Sequence, residues 1–200
     1  MLNSDYEYKG QPLWYHDVIL STFYFLIRFL EKYRIVYWLD WGTLLGAVRN
    51  GKIIPWDYDI DIGIHLSAVE KLELLKEEMN KFGYTLSIDR NQKYARIIRF
   101  YTLEHGFDFH VDIYPWTSEG DVAFPCVEPE QVRPLSEIRN LSSIKFEGVI
   151  CPCPLFPERA LERKYGVKWR TPSILEGNTI YVKKFADDNE SIKQEMKKYV

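Results

Sequence analysis

The chain has 200 residues, which is enough for one domain with a sizeable core. Its apolar content of 46% and charged content of 28% are typical of a globular protein. The net charge of −3 offers no general attraction to nucleic acid or to an anionic membrane, so we expect neither as a partner.

The N-terminal part of the sequence bears on location. The first residues are polar and acidic and lack the basic segment of a signal peptide. The longest apolar run, Val18 to Ile27, has about ten residues, too few to cross a bilayer. We therefore expect no transmembrane segment and a cytoplasmic location.

Hydrophobic residues at helical spacing predict three helices. The first is the N-terminal helix 12–33, opened by Pro12. The second begins at the capping box Ser67-Ala68-Val69-Glu70 and stops at Gly83. The third covers residues 157–165. From Asp187 onward the chain is charged and is predicted to be a surface helix or a frayed tail.

Apolar and β-branched segments between these helices predict strands. They cover Val36 to Leu39, Tyr84 to Ile88, Tyr94 to Tyr101, Phe107 to Tyr114, and Phe146 to Cys151. Residues 115–145 are rich in Pro, Glu and Ser and are expected to be irregular, a loop with short pieces of secondary structure. Strands mixed with helices predict a single α/β domain over 1–200, with a mixed sheet flanked by helices. We divide it into the N-terminal helix, a catalytic core 34–115 and a C-terminal portion 116–200.

Three aspartates at alternate positions are the most informative feature of the chain. Asp57, Asp59 and Asp61 follow the glycine turn at Gly42, and in a strand all three would lie on one face. Like charges at this spacing repel and raise each other's pKa. A divalent cation removes that repulsion, and oxygen ligands favour Mg²⁺ or Mn²⁺.

The segment from Leu39 to Ile64 resembles the LicD/fukutin-related group of the nucleotidyltransferase superfamily. The resemblance rests on Gly-Thr-Leu-Leu-Gly-Ala-Val-Arg and Ile-Pro-Trp-Asp, and extends over about residues 30–115. It continues more weakly around Lys164, Tyr165 and Trp169. The family usually has a further Asp where this chain has Tyr58. Because Tyr58 alternates with the three aspartates, we expect metal binding to survive that difference.

The resemblance implies a set of catalytic metal ligands. Asp59 and Asp61 match the family's ligand pair, and Asp112 matches its third carboxylate, with Asp108 as the rival. Asp57 is left open as a ligand, a holder of metal-bound water or a turn residue. His110 shares a face with Asp112 and is interpreted as a structural histidine.

Four residues are expected to bind substrate. Gly42 and Thr43 resemble the superfamily's glycine–hydroxyl pair at a helix start, where N–H groups favour phosphates. Arg49 matches a family arginine and is assigned to a donor phosphate or to Asp57. Of Arg96 and Arg99, on opposite faces of one strand, we favour Arg96 as the cation facing the carboxylates. Gly46 is assigned to close packing.

Aromatic and sulfur side chains have two interpretations each. Trp38, Trp41 and Trp56 are assigned to the core rather than to base stacking or a choline cage. Lys164, Tyr165 and Trp169 are alternatives for closing over a substrate. The odd number of cysteines predicts free thiols, with zinc held by Cys126, Cys151, Cys153 and a histidine as the minor alternative.

The resemblance implies a metal-dependent transferase. It would move a phospho-alcohol from a CDP-linked donor to a carbohydrate hydroxyl and release CMP. The family's donors are CDP-choline, CDP-ribitol and CDP-glycerol, and choline is slightly favoured by the compact LicD-like form. Transfer of NMP from an NTP and a non-catalytic nucleotide- or glycan-binding role remain the alternatives.

Overall fold

The computed structural model describes residues 13–55, 57–90, 95–104 and 107–171. Within them the helices are α1 (Leu13–Lys32), α2 (Trp41–Asn50), α3 (Val69–Leu74), α4 (Lys76–Asn80), α5 (Ser136–Arg139) and α6 (Pro157–Tyr165). The strands are β1 (Tyr37–Leu39), β2 (Ile60–His65), β3 (Thr85–Arg90), β4 (Ala95–Glu104), β5 (Phe107–Glu119), β6 (Val122–Pro125), β7 (Arg133–Pro134), β8 (Ser142–Phe146) and β9 (Val149–Cys153). Pro12, Trp56 and the predicted segment after Asp187 lie outside the described residues.

One mixed sheet organises the domain. Its strands follow the order β1-β2-β5-β4-β3, with β2 and β5 parallel and the other neighbours along this path antiparallel. The long strand β5 continues beyond this path and pairs with β6, which pairs with β7. Strands β8 and β9 form a separate hairpin. The expected mixed sheet flanked by helices is confirmed.

The apolar core lies on one face of the central strands. Residues at alternate positions of β2 and β5 are fully buried, as in Ile60, Ile62, Val111 and Ile113. Helix α1 packs against β5 and β4 and adds its own buried stripe to the same cluster. That stripe comprises Ile19, Phe23, Leu26 and Leu30. Because strand side chains alternate, this packing leaves the intervening residues on the opposite face.

A smaller buried cluster covers part of that opposite face. It contains Trp38, Tyr114, Trp116, Ala123, Leu135 and Ile138. Gly63 makes room for the indole of Trp38, since a Cβ at Gly63 would lie 2.3 Å from Trp38 Cε2. Within this region Arg133 pairs with Asp40 at 2.9 Å and lies over the Trp116 ring. The assignment of Trp38 to the core is confirmed.

The prediction for the helix after Ser67 was wrong in two respects. The capping box does not form: Ser67 lies in a 3-10 turn, Leu66–Ala68, and α3 starts without a side-chain cap. The expected single helix is divided at Leu75 into α3 and α4.

The segment 115–145, predicted as a loop with short pieces, contains the end of β5, the short elements β6, β7 and α5, and most of β8. The strand predicted to end at Tyr114 continues through Pro115, which lies opposite Ile64 of β2.

The segment from Phe146 to Cys151, predicted as one strand, contains the turn of a hairpin and most of its second strand. Strands β8 and β9 meet at Glu147 and Gly148, which have φ of 45° and 85°. Two successive residues with positive φ fit the tight turn that joins antiparallel strands. The described residues contain no helix that is both long enough and apolar enough to span a membrane.

Candidate active site

The start of helix α2 is bound directly to Asp61. Asp40 caps the helix by accepting a hydrogen bond from the Trp41 N–H, and the Gly42 N–H donates to Asp61 Oδ2 at 2.9 Å. The Asp61 N–H in turn donates to Thr43 Oγ1 at 2.8 Å. These contacts fix both the backbone and the carboxylate of Asp61 against the helix N-terminus, whose partial positive charge favours an anion.

Charged residues of three neighbouring strands share one register. Asp61 of β2 lies opposite Asp112 of β5, and Asp112 lies opposite Arg99 of β4. The Arg99 guanidinium donates to both oxygens of Asp112, with Nε 2.9 Å from Oδ1 and Nη2 3.3 Å from Oδ2. The side chain of Arg99 is 40% exposed, whereas that of Asp112 is 5% exposed. A cation therefore lies at the open edge of a buried carboxylate row.

Asp59 extends the row toward His110. His110 Nε2 lies 3.9 Å from Asp59 Oδ2 and 3.9 Å from Asp112 Oδ1. Among the described residues, these three offer ligand atoms that lie within 4.8 Å of one another. All three residues are buried. The prediction assigned His110 a structural role, but the structure places it between the two carboxylates.

The segment carrying Asp57 is held by the N-terminal helix. Tyr15 of α1 donates its hydroxyl to the Tyr58 carbonyl at 2.9 Å, and His16 Nε2 lies 3.1 Å from the Asp57 carbonyl. Burial lowers the pKa of His16, so its neutral form is favoured there. The helix thus does more than fill the core, because it fixes the backbone that presents Asp57 and Asp59.

Burial and mutual repulsion raise the pKa values of the three aspartates, which is the direction that their spacing predicts. Burial, followed by the charge of Asp61, raises the pKa of Asp57 to about 7. Burial and then the neighbouring aspartates raise the pKa values of Asp59 and Asp61 well above their usual range. The cluster is therefore poised to accept positive charge.

Aromatic side chains form one wall beside the carboxylates. Trp41 stacks on Tyr114 with ring centroids 4.0 Å apart, and Lys164 Nζ lies 3.9 Å from the centre of the Trp41 ring. Burial and the aspartate charges raise the pKa values of Tyr114 and Tyr165 well above the usual range. Trp41 is half-buried at the site rather than wholly in the core. Trp56 lies outside the described residues.

Gly42 provides the space that the carboxylates occupy. A Cβ at this position would lie 3.0 Å from Asp57 Oδ2 and 3.1 Å from Asp61 Oδ2. Gly46 allows a different close approach, since its Cβ would lie 2.4 Å from the Lys52 carbonyl oxygen. Gly46 was predicted to allow close packing of the helix on a strand; the close approach is present, but the neighbour is the loop after α2 and not a strand.

Only some of the residues that were expected to bind substrate lie beside the aspartate carboxylates. Thr43 is 1% exposed and contacts the Asp61 backbone, so its direct use by a substrate stays a prediction. Arg49 lies in the last turn of α2, where its guanidinium donates to the Trp169 carbonyl. Arg99 is the arginine on Asp112, and the preference for Arg96 receives no support. The side chains of Arg96 and of Asp108 lie outside the described residues.

The cysteines lie apart from this chemistry. Cys126, Cys151 and Cys153 are buried free thiols, as expected. Burial raises the pKa of each thiol to about 11, which disfavours the thiolate that zinc needs. None of them belongs to a cluster of three possible metal ligands within the described part of the chain.

Several site residues had a weak signal or none in the sequence. Tyr114 shares the face of Asp112 by alternation, and Tyr165 falls in the weaker family match. The contacts from Tyr15 and His16 span more than 40 residues and had no sequence signal. The same is true of Arg133, whose partner Asp40 lies 93 residues away.

The donor atoms fit a divalent cation. Asp59, His110 and Asp112 offer two carboxylate oxygens and one imidazole nitrogen within 4.8 Å of one another, and carboxylate oxygen is a preferred ligand of Mg²⁺ and Mn²⁺. Asp59, His110 and Asp112 could hold the ion from two strands, with Asp61 adjacent. A hydroxyl or phosphate bound there would meet Arg99 at the open edge.

The fold and this site together define a nucleotidyltransferase-like domain. The family described as LicD/FKTN/FKRP, nucleotidyltransferase domain, matches residues 34–155, and the chain belongs to this family. The matched segment begins just before β1 and ends after β9. It therefore includes the helix start at Gly42, the carboxylates and Arg99.

Three relatives illustrate the range of the similarity. The chain is 28% identical to human ribitol 5-phosphate transferase FKRP over 180 residues, which is 86% of this chain and 34% of that protein. It is 44% identical to the Haemophilus influenzae lipopolysaccharide cholinephosphotransferase LicD over 54 residues, 27% of this chain and 20% of that protein. It is 30% identical to mannosyltransferase regulator 4 of Saccharomyces cerevisiae over 81 residues, 40% of this chain and 6% of that protein. The chain thus spans about a third of the length of FKRP.

Proposed function

We propose that this chain transfers a phospho-alcohol from a CDP-linked donor to a carbohydrate hydroxyl and releases CMP. The observation that carries the proposal is the row of Asp61, Asp112 and Arg99 on three adjacent strands, extended by Asp59. Membership of the LicD/FKTN/FKRP family supports the reaction class. The activities for which FKRP and LicD are named, ribitol 5-phosphate transfer and cholinephosphate transfer, support a phospho-alcohol as the group moved.

The reaction is a substitution at phosphorus. The acceptor hydroxyl oxygen bonds to the phosphorus that carries the alcohol, and the bond from that phosphorus to the bridging oxygen of the pyrophosphate breaks. The phospho-alcohol thus passes to the glycan, and CMP leaves with the bridging oxygen. Such transfers depend on positioning and on neutralising charge rather than on a covalent protein intermediate.

Each step of the proposed reaction is assigned to particular side chains. Arg99, at the exposed edge, is placed to bind the donor phosphates, because its fork of donors suits phosphate oxygens. Asp112 is placed to orient the acceptor hydroxyl and take its proton. The Gly42 N–H holds Asp61 in position. A Mg²⁺ or Mn²⁺ ion held by Asp59, Asp61 and Asp112 would supply charge neutralisation when bound.

The aromatic wall bears on the organic part of a donor. Trp41 stacks on Tyr114, and the Lys164 ammonium lies over the Trp41 ring. A pyrimidine base is the part of a CDP-linked donor that stacks on aromatic rings, whereas the ammonium already over Trp41 disfavours a second cation such as choline at that ring. The choice among choline, ribitol and glycerol as the donor alcohol stays a prediction, as does the cytoplasmic location.

The test is CMP release from CDP-choline, CDP-ribitol and CDP-glycerol, with CTP as a control, in the presence of Mg²⁺ or Mn²⁺. We expect slow release of CMP from one CDP-alcohol without an acceptor, because water can replace the sugar hydroxyl. Excess EDTA should stop it. Release of pyrophosphate from CTP would instead indicate nucleotidyl transfer. Turnover that survives EDTA would contradict the metal-dependent mechanism.

A further inference from the structure

His110 is the one member of the Asp59, His110 and Asp112 group that is not a carboxylate. It lies in β5 two residues before Asp112, on the face opposite the apolar core. Its side chain is 7% exposed, and the Tyr58 ring lies against it with centroids 6.2 Å apart. The imidazole is therefore buried beside the carboxylates of Asp59 and Asp112.

The distances from His110 Nε2 to the Asp59 and Asp112 carboxylates limit how the three side chains can interact. An imidazolium that neutralised the carboxylates by hydrogen bonding would place its nitrogen about 2.7–3.2 Å from an oxygen. The observed distance from Nε2 to each of Asp59 and Asp112 is 3.9 Å. Two atoms bound to one ion at about 2.1–2.2 Å are separated by at most about 4.4 Å. The spacing is therefore too long for hydrogen bonds and short enough for a shared ion.

Charge leads to the same conclusion. Asp57, Asp59, Asp61 and Asp112 are buried together, and Arg99 supplies one positive charge at their edge. A divalent cation would add two positive charges to a site with four carboxyl groups, and an imidazole nitrogen can serve as one of its ligands.

We propose that His110 is a direct ligand of the cation, together with Asp59 and Asp112, and that its nitrogen makes the site prefer Mn²⁺ to Mg²⁺. This inference rests on the metal site of the proposed function. Mg²⁺ takes oxygen ligands almost exclusively, whereas transition-metal ions accept imidazole nitrogen readily. A nitrogen among the ligands therefore favours Mn²⁺ relative to a site made of oxygen alone.

Manganese itself is the probe for this proposal. Pulsed electron paramagnetic resonance of the Mn²⁺-loaded chain detects nitrogen bound to the ion, and ¹⁵N labelling of histidine identifies it as imidazole. The chain has 4 histidines, so a matched control is available. We expect the nitrogen signal in the wild type and in His65→Gln, and its loss in His110→Gln. His65 lies at the end of β2, beside Trp38.

Affinity provides the second measurement. By calorimetric titration, His110→Gln should weaken Mn²⁺ binding by about 10- to 100-fold. Wild-type affinity should be at least about tenfold higher for Mn²⁺ than for Mg²⁺. His110→Asp restores an all-oxygen ligand set, so the ratio of the two affinities should fall several-fold even if both ions still bind. Circular dichroism at each titration temperature establishes that the variants are folded.

The outcomes separate this proposal from the transferase function. Mn²⁺ bound without a nitrogen signal, or an unchanged Mn²⁺-to-Mg²⁺ ratio in His110→Asp, would overturn the role of His110. CMP release could still occur in that case. A histidine signal lost in His110→Gln supports the proposal even if no CDP-alcohol is turned over. Absence of any Mn²⁺ binding would overturn the metal site as a whole.

Discussion

The two faces of the central strands carry opposite chemistry. On one face Ile60 and Ile62 of β2 meet Val111 and Ile113 of β5 in a fully buried apolar layer. On the other face the adjacent residues are Asp61 and Asp112, one position away in each strand. Because the side chains alternate, residues that are neighbours in sequence lie on different faces. One face stabilises the domain, and the other brings charges together at a cost in stability.

The largest expected effect comes from the charged face. Asp59→Asn and Asp61→Asn should each reduce metal-dependent CMP release by about a thousandfold or more, because each removes a proposed cation ligand of the transition state. The melting temperature should stay the same or rise, since burial and neighbouring charges already disfavour these carboxylates. Turnover and thermal denaturation of the same preparations would provide the comparison.

The control for this pair is an aspartate without such neighbours. Asp121 is exposed at the turn between β5 and β6. Asp121→Asn should leave both turnover and melting temperature close to the wild type. Full activity in Asp59→Asn or Asp61→Asn would contradict the assignment of the charged face to catalysis.

The next effect comes from the apolar face, one residue along the same strand. Ile62→Ala should lower the free energy of unfolding by about 2–5 kcal/mol, because it leaves a cavity beneath α1. Ile62→Val should cost about 0.5–1.5 kcal/mol. Urea denaturation measures both. Activity per folded molecule should be largely retained at temperatures where the variants are folded, and a selective loss of turnover would show that the two faces are not independent.

The same alternation determined how much of the site the sequence could reveal. It was sufficient to place Asp61 and Asp112 on the face opposite the isoleucines, although Asp59 lies just before β2 rather than in it. These inferences depended on local geometry, which a short segment of sequence contains.

The sequence could not supply what depends on contacts between distant segments. Choosing between Arg96 and Arg99 required the register of β4 on β5, which pairs Arg99 with Asp112 and which no local pattern supplies. The buried pair of Asp40 and Arg133 joins residues 93 positions apart. His110 had the same alternation as Asp112, but the sequence did not show that Asp59 would approach it from the neighbouring strand.

The smallest effect is a dependence of stability on pH in the metal-free protein. In the folded state the pKa of Asp57 is about 7, whereas an unfolded aspartate has a pKa of about 3.9. Between these values the folded state binds more protons than the unfolded state, so stability falls as pH rises. In EDTA, the melting temperature should drop by several degrees between pH 5 and 7.5, and Mn²⁺ should restore it at pH 7.5.

His16 and His65 change the stability with pH in the opposite direction, and the measurement must separate their contribution from that of Asp57. Burial lowers the pKa of both histidines, so each favours folding more as pH rises toward its unfolded value of about 6.5. The informative quantity is therefore the difference between the wild type and Asp57→Asn at each pH. That difference should grow from pH 5 to 7.5, because only the wild type must keep a carboxylate beside Asp61. A constant difference would mean that Asp57 ionises as freely in the folded domain as in the unfolded chain, and that the charged face costs no stability at that position.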